Sequence, residues 1–360
     1  MKNLKLIGFL ILIASSFMFV QCTTDSIQGP PGADGIDGID GTDGIDGIDG
    51  IDGIGAEGCI ACHSNSHTDP IHDAYTSSGH SSGFSWKYGY AATSTSCAQC
   101  HNNQGYIDYL SKNFTIDGVQ SVNPDGYTAM NAVTCNGCHS DHRSFDFEND
   151  GNDFALRNID PVDLVIDPSI SIDFKNDSDP LGLSNSCTTC HQPRNSYPVP
   201  GGTDPIEITS SRYGPHYGPQ STLVEGIMGA NIPGPEGYPG VASSTHRTGS
   251  SCTSCHMSES SDNSKGGHTW LPSEESCSTC HGSSAPSESS DFTSDMATLK
   301  QQLVDLGVLL EDNSVVPGTY PSIQAQAVWN YRTILGDKSN GVHNPKYIKA
   351  LLKNSIEALK

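Results

Sequence analysis

Apolar positions along this chain of 360 residues follow a helical period only near the C-terminus. Met296, Leu299, Leu303, Leu306 and Leu310 recur at intervals of three and four, which predicts one face of an amphipathic helix. This helix follows a serine-rich stretch at residues 283–290. We therefore separate a C-terminal helical segment, residues 286–360, from the part of the chain before it.

Two more helices are predicted in this segment. One runs from Pro321 to Leu335 and stops at Gly336-Asp337. The next begins at Pro345 and has the apolar face Ile348, Leu351, Leu352, Ile356 and Leu359. Proline at a helix start and glycine after a helix end are typical. We expect a helical hairpin that packs against the preceding region.

The region at residues 59–285 shows weak strand signals and no clean internal repeat apart from a short cysteine motif. Only 35% of the whole chain is hydrophobic and 7% aromatic, whereas glycine (38) and proline (21) are frequent. Such a composition supplies little material for a conventional core. The predicted fold class is mainly α with extensive coil, packed around an apolar group that is not a side chain.

The cysteine motif is Cys-x-x-Cys-His, and it occurs six times. Each of the twelve cysteines after Cys22 belongs to one of its copies, and a histidine follows every pair. The cysteines are Cys59, Cys62, Cys97, Cys100, Cys135, Cys138, Cys187, Cys190, Cys252, Cys255, Cys277 and Cys280. The histidines are His63, His101, His139, His191, His256 and His281.

This spacing is the attachment signature of c-type haem, in which two thiols bind the porphyrin and the histidine binds the iron. Zinc ribbons also pair cysteines at this spacing, but they need no histidine after every pair. Disulfide frameworks use scattered spacings, and a thioredoxin-like pair would occur once. We predict six haem c groups, and we expect residues 59–285 to use them as their core.

Eight histidines lie outside the motifs, which is enough to give six irons a second imidazole ligand. A six-coordinate iron has no vacant position for a substrate, so this count favours electron transfer over catalysis. Met130, Met228 and Met257 are alternative ligands. His142 follows the motif histidine His139 too closely to reach the far face of the same haem, and His67 stands in the same relation to His63.

Several segments resemble the multihaem cytochrome c superfamily, which includes cytochrome c nitrite reductase, hydroxylamine oxidoreductase-like proteins and electron-transfer relatives. They are residues 76–80, 214–220, 255–257, 266–268, 330–331 and 341–347. The resemblance implies that His80, His216, His268 and His343 are distal ligands. His246 and His142 complete a set of six, and His67 and His72 are spare.

The chain departs from these enzymes, because it has no Cys-x-x-Cys-Lys site of the kind that characterises nitrite reductases. We therefore expect an exported hexahaem cytochrome that carries electrons between membrane donors and extracytoplasmic acceptors, with no catalytic side chain. The alternative is a reductase of nitrite, hydroxylamine or a sulfur oxyanion with one five-coordinate haem. Arg212 and Tyr213, beside His216, would then handle protons and the anion.

The N-terminus predicts export. Lys2 and Lys5 precede an apolar run at residues 6–20, which is short for a membrane span. Cys22 follows directly and resembles a bacterial lipoprotein processing site, although Gln21 is larger than the usual residue. We predict a signal peptide at residues 1–21, lipidation of Cys22 and a location anchored in the cell envelope. The alternative is an ordinary cleaved signal.

Residues 22–58 form the predicted anchor and stalk. Glycine recurs at every third position from Gly29 to Gly53, as in collagen, and aspartate fills one position of seven consecutive triplets. Such chains would repel each other in a trimer unless Ca²⁺ bridged the carboxylates. An extended stalk and a cation-assisted homo-oligomer both remain open.

The net charge of the chain limits the kinds of partner that it can bind. The formal net charge is −23, and loss of residues 1–21 removes two lysines and no acidic residue, which gives −25. A surface this acidic disfavours nucleic acid and suits basic redox proteins, cations or minerals.

Overall fold

The computed structural model describes residues 56–360 except 88, 117–118, 147–148, 150–152, 176–182 and 195–196. The predictions of a signal peptide, of a lipid on Cys22 and of the glycine-repeat tract lie outside the described residues.

Helix and coil make up most of the described chain, so the predicted fold class, mainly α with extensive coil, is confirmed. The α-helices are α1 (Ala56–His63), α2 (Asn65–Ser77), α3 (Gly79–Ser82), α4 (Gly89–Thr93), α5 (Ala98–His101), α6 (Asn103–Ser111), α7 (Cys135–Cys138), α8 (Asn185–Thr188), α9 (Gln220–Glu225), α10 (Thr245–Gly249), α11 (Cys252–His256), α12 (Glu274–His281), α13 (Phe292–Asp305), α14 (Ser322–Asp337) and α15 (Pro345–Ala358). Short 3₁₀ helices lie at Phe84–Lys87, Gly267–Thr269 and Gly282–Ser284. None of the helices in the described ranges has the length and apolarity needed to cross a membrane.

The strands form small antiparallel pairs. They are β1 (Thr115–Ile116) with β2 (Val119–Gln120), β3 (Val162–Asp163) with β4 (Ser171–Ile172), and β5 (Ile206–Ile208) with β6 (Gly318–Tyr320). In the last pair Ile206 lies opposite Tyr320 and Ile208 opposite Gly318. This pairing ties the chain that follows the fourth motif to the C-terminal segment.

The main hydrophobic core lies among the three C-terminal helices α13, α14 and α15. Its buried members include Leu299 and Leu303 from α13, Trp329 from α14, and Ile348 and Leu351 from α15. Helices α13 and α15 contribute apolar residues at helical spacing, whereas α14 is buried on most of its surface. Ile208, Leu223 and Ile232 of the motif region complete this core.

Buried amides extend this core to a loop of the motif region. Asn330 accepts a hydrogen bond from the N–H of Ala230 (2.7 Å) and donates one to its carbonyl (2.8 Å). Asn354 makes the same pair of bonds with Glu236, at 2.9 Å each. Since buried backbone groups need partners, these side chains replace a strand neighbour for residues 230–236.

The three predicted C-terminal helices are present, but the first of them ends before the last two residues of its apolar pattern. Helix α13 ends at Asp305, so Leu306 and Leu310 lie beyond it and are exposed. Gly307 follows with φ +69°, a left-handed conformation that stops a helix. Helix α15 begins at Pro345, and the side chain of Asn344 caps it by accepting from the N–H of Tyr347 (3.2 Å).

The motif region has much less apolar packing of its own. Its separate hydrophobic cluster contains three buried residues, Leu164, Ile172 and Phe174, on and beside β3 and β4. Large apolar side chains such as Phe84 and Phe145 are exposed there instead. The motif region therefore lacks a side-chain core comparable in size to that of the C-terminal helices.

Candidate haem-binding site

Each Cys-x-x-Cys-His motif forms or adjoins a helical turn. Within such a turn, residues at positions i, i+3 and i+4 share one face. The N–H of the motif histidine bonds back to the carbonyl of the first cysteine, for example in His101 to Cys97 (3.1 Å) and His139 to Cys135 (2.8 Å). Both thiols and the imidazole therefore project to the same side, as attachment of one planar group requires.

Six pairs of histidine rings face each other, five within the motif region and one that includes His343 of the C-terminal segment. Each pair combines one motif histidine with one histidine from outside the motifs. The centroid separations are 5.9 Å for His63 and His142, 6.1 Å for His101 and His216, 6.3 Å for His139 and His268, 6.1 Å for His191 and His80, 6.3 Å for His256 and His343, and 6.1 Å for His281 and His246.

This spacing fits an iron atom between the rings. Two metal–nitrogen bonds of about 2 Å and the half-widths of two imidazoles, about 1 Å each, add to about 6 Å. Stacked or edge-to-face aromatic pairs can also lie about 4.5–7 Å apart. Six repetitions with one motif histidine in every pair match the donor set of haem with two axial imidazoles.

The pairs show which motif histidine each candidate ligand faces. His142 faces His63 and not His139, which it follows by three positions in the sequence. His67 and His72 line the same cavity, and the ring of His72 lies 6.5 Å from that of Tyr75. Of the methionines named as alternative ligands, Met130 is exposed and Met228 packs beside the small apolar cluster, whereas Met257 lines the cavity next to His256.

Hydrogen bonds at Nδ1 orient at least half of the twelve paired rings. The partners are the carbonyls of Ser85 for His101 (3.1 Å), Phe154 for His139 (2.8 Å), Val342 for His246 (2.5 Å) and Trp270 for His256 (2.9 Å), the amide oxygen of Gln220 for His191 (3.4 Å), and the carboxylate of Asp337 for His343 (2.6 Å). These oxygens can only accept, so Nδ1 carries the proton. Nε2 then keeps its lone pair for a metal.

Burial keeps several of the paired imidazoles in the form that binds metals. Burial, together with the neighbouring His191 and His268, lowers the pKa of His80 to about 4. Burial and the neighbouring His139 lower the pKa of His268 to about 4 as well. Burial also lowers the pKa of His216. These rings are neutral at physiological pH, and a neutral ring has a lone pair to donate.

His343 differs from them in charge environment. Burial alone would lower its pKa, but the carboxylate of Asp337 outweighs burial and raises it. The side chain of Asp337 is only 1% exposed, and its second oxygen accepts a hydrogen bond from the hydroxyl of Ser339. One of the paired imidazoles, that of His343, therefore has an anionic hydrogen-bond acceptor at Nδ1.

Neighbouring motifs contact each other through a cysteine thiol of one motif and a backbone carbonyl of the other. The thiol of Cys100 lies 3.8 Å from the carbonyl of Thr189, and the thiol of Cys190 lies 3.6 Å from the carbonyl of Gln99. The second and fourth motifs are thus in direct contact.

The fourth and fifth motifs also meet. The hydroxyl of Ser184 lies 3.0 Å from that of Thr253 and accepts a bond from its N–H at 3.1 Å. Ser184 lies just before Cys187 of the fourth motif, and Thr253 lies inside the fifth motif. The fourth motif is therefore in contact with both the second and the fifth motif.

Trp270 joins three histidine pairs. Its ring lies edge-on to His80, with centroids 4.3 Å apart, and to His268, with centroids 5.2 Å apart. Its carbonyl accepts the Nδ1 hydrogen bond of His256. One residue therefore contacts the imidazoles of three separate pairs.

All six motifs open into one cavity. Its volume is about 3980 Å³, and all twelve motif cysteines and all fourteen histidines line it. Pockets for single small molecules usually measure about 300–1,000 Å³. Exposed aromatic residues, including Phe84, Phe145 and Tyr217, also line it. Apolar planar groups held by the motifs would fill this space and cover those side chains.

The twelve motif cysteines are free thiols. In the part of the chain that the structure describes, no group of three or more histidine, cysteine, aspartate or glutamate residues is arranged to hold a single metal ion. The donors come together instead as imidazole pairs with thiols beside them.

Tyr213, which the reductase alternative would use, lies elsewhere. It is buried in the C-terminal core, where its ring packs 5.7 Å from Trp329 and 5.0 Å from Tyr197. Arg212 does line the cavity. The two adjacent residues therefore do not act at one place.

No family model and no curated protein matches this chain. Among solved structures, the crystal structure of the outer cell wall cytochrome OcwA is similar, with 19% identity and a TM-score of 0.47 over 81% of this chain and 50% of that chain. This chain thus spans about half the length of that protein. A similarity at this level assigns neither family nor function.

The sequence does not identify the groups that orient the paired histidines. In the sequence Asp337 marks only the end of a predicted helix, and Gln220 lies in the segment 214–220 that resembles multihaem cytochromes. The carbonyl partners have no sequence signal at all, because any residue supplies a carbonyl. Trp270 stands two residues after His268, and an aromatic residue so close to a candidate ligand was the one available clue.

Proposed function

We propose that this protein is a hexahaem c-type cytochrome that carries electrons through haems with two histidine ligands. Each motif would bind one haem through its two cysteines, and the two histidines of each facing pair would be the axial ligands. When bound, haem supplies a one-electron iron couple. The observation that carries the proposal is the facing of every motif histidine by a second imidazole at about 6 Å.

The same observation bears on catalysis. An enzyme of this type needs one iron with a vacant position. Here a distal histidine would have to move away from its partner to create one. We therefore place the protein among electron carriers.

The chain would orient ligands and limit solvent. Nδ1 hydrogen bonds hold imidazoles in a single orientation, which favours both metal affinity and a defined potential. Aromatic and aliphatic side chains around the cavity would keep water from the ring edges. Little reorganisation then accompanies gain or loss of an electron.

Contacts between motifs suggest a route for electrons. The His80–His191 site adjoins the His101–His216 site through the second motif and the His256–His343 site through the fifth. Trp270 links it to the His139–His268 site. Val342, the Nδ1 partner of His246, is next to His343, which brings the His246–His281 site alongside. The fourth motif would thus lie where routes branch.

We place the protein outside the cytoplasm, held to the cell envelope by a lipid on Cys22. Its partners would be redox proteins or other extracytoplasmic electron acceptors. The glycine-repeat tract would lift the haem region from the membrane, with Ca²⁺ as the candidate cation if copies associate. The acidic composition favours basic partners.

The proposal is tested on the full chain produced with a c-type maturation system. We expect six haems per chain by pyridine haemochrome and only low-spin ferric signals by electron paramagnetic resonance (EPR). One haem equivalent of high-spin iron would move the assignment to the reductase. Fewer than six covalent haems would contradict the proposal itself.

Two alanine variants sharpen this test. His142→Ala removes the ring that faces His63, so one haem should become high-spin while five remain low-spin. His67→Ala is the matched control, since it also follows a motif closely but faces no motif histidine among the six pairs. An unchanged His142→Ala spectrum, or a high-spin signal in His67→Ala, would show that the pairing is wrong.

A further inference from the structure

Asp337 is the only carboxylate among the six Nδ1 partners described above. Its Oδ1 lies 2.6 Å from Nδ1 of His343, while Ser339 donates a hydroxyl hydrogen bond to Oδ2. The side chain is 1% exposed. Two donors thus hold the carboxylate as an acceptor, directly behind the ring that faces His256.

The other five partners are neutral. Four are backbone carbonyls and one is the amide oxygen of Gln220. Among the ion pairs of the described residues, Asp337 is matched with His343 and with no lysine or arginine. No lysine or arginine therefore neutralises this carboxylate by a direct ion pair, and low exposure limits screening by water.

A carboxylate in this position makes an axial imidazole a stronger electron donor. It also favours the iron state of higher positive charge by direct electrostatics. Both effects act in the same direction, since each stabilises ferric over ferrous iron. Hydrogen bonding of this kind is one of the means by which a protein sets a haem potential.

We propose that Asp337 lowers the reduction potential of the iron that His256 and His343 would hold. This inference rests on the proposed function. A haem held there would take one electron from a redox partner protein with no bond broken, and Asp337 would keep the hydrogen-bonded proton on Nδ1 of His343. Asp337 is a positioning and tuning residue, because it acts through His343.

The place of this site in the molecule gives the low potential a consequence. Gln220, whose Oε1 lies 3.4 Å from Nδ1 of His191, donates through Nε2 to the carbonyls of Gly336 (3.3 Å) and Asp337 (3.2 Å). The segment that carries Asp337 therefore borders the His80–His191 site too. An iron of lowered potential would thus separate that branch point from the His246–His281 site.

The direct test is Asp337→Asn in the haem-loaded full chain. The side chain keeps its shape and an oxygen acceptor but loses its charge. We expect one haem of six to become about tenfold more reduced at a fixed potential, which is about 59 mV for a one-electron couple. Asp337→Glu should restore most of the difference. Asp295→Asn is the control, because that buried carboxylate pairs with Lys353 (2.9 Å) and contacts no histidine.

A second variant identifies the haem that Asp337→Asn should affect. His343→Met should raise the potential of the same haem, since methionine ligation raises haem potentials. Spectroscopic redox titration should show that the component that moves in this variant is the one that moves in Asp337→Asn. The inference is overturned if another component moves, or if Asp337→Asn titrates like the wild type. Failure of the proposed function looks different, as missing haems or high-spin iron in the wild type.

Discussion

Trp270 holds a conformation that bulky residues seldom adopt. Its backbone is left-handed, with φ +54° and ψ 20°. This costs a non-glycine residue about 1–3 kcal/mol, so surrounding contacts must compensate. Here the ring contacts of His80 and His268 and the carbonyl contact of His256 are the candidates for that compensation.

Substitution of Trp270 should disturb two sites at once. In Trp270→Ala we expect altered EPR signals for two of the six low-spin haems, because the rings of His80 and His268 lose the surface that orients them. The free energy of unfolding should fall by about 2–3 kcal/mol, less than for a fully buried tryptophan. Trp270→Phe keeps an aromatic face and should change little. A spectrum altered at a single haem would contradict the shared role.

The residues that would bind haem covalently can be identified from the sequence, whereas the groups that support them cannot. The cysteines and the motif histidine occupy five consecutive positions, so local spacing identifies them. The facing imidazoles come from distant segments, for example His80 for His191, and a count of spare histidines does not assign the pairs. Asp337 matters through one oxygen near one nitrogen, and that distance exists only in the fold.

At the scale of elements, the C-terminal helices and the motif turns differ in what stabilises them. Helices α13, α14 and α15 bury Leu303, Trp329 and Leu351 against one another. The motif turns are mostly single turns, which are not stable alone in water. Apolar periodicity therefore predicted the former, while only the cysteine spacing marked the latter. The end of α13 escaped prediction because Leu306 and Leu310 continue its pattern beyond Gly307.

This difference predicts how the chain behaves without haem. In full-length protein made where no haem is attached, amide hydrogen exchange should be slow in residues 292–358 and fast in residues 59–191. The reason is that the first segment belongs to the main side-chain core and the second surrounds a cavity. The haem-loaded protein, measured in parallel, should be slow in both. Equal protection of both segments without haem would refute the distinction.

At the scale of the whole molecule, sequence alone supports the anchor, because Cys22 lies outside the described residues. We expect Cys22→Ala to release the protein from the membrane fraction into the soluble extracytoplasmic fraction, with haem content unchanged. The physical reason is that acyl chains supply the membrane affinity and the acidic chain supplies none. Fractionation followed by haem staining measures this, and a Cys22→Ser variant should behave alike. Retention of both variants in the membrane would exclude the lipid anchor.

The histidine pairs also decide whether this molecule can be divided. His63 reaches forward to His142, His80 to His191, His101 to His216, His139 to His268, His246 to His281, and His256 to His343. Each of these sequence intervals overlaps at least one other, and together they cover residues 63–343 without a gap. A break in the polypeptide anywhere from residue 63 to residue 343 parts at least one ring from its partner. Recombination could therefore lengthen such a protein at its ends, while any fragment from its middle that keeps a paired histidine would leave at least one ring without its partner.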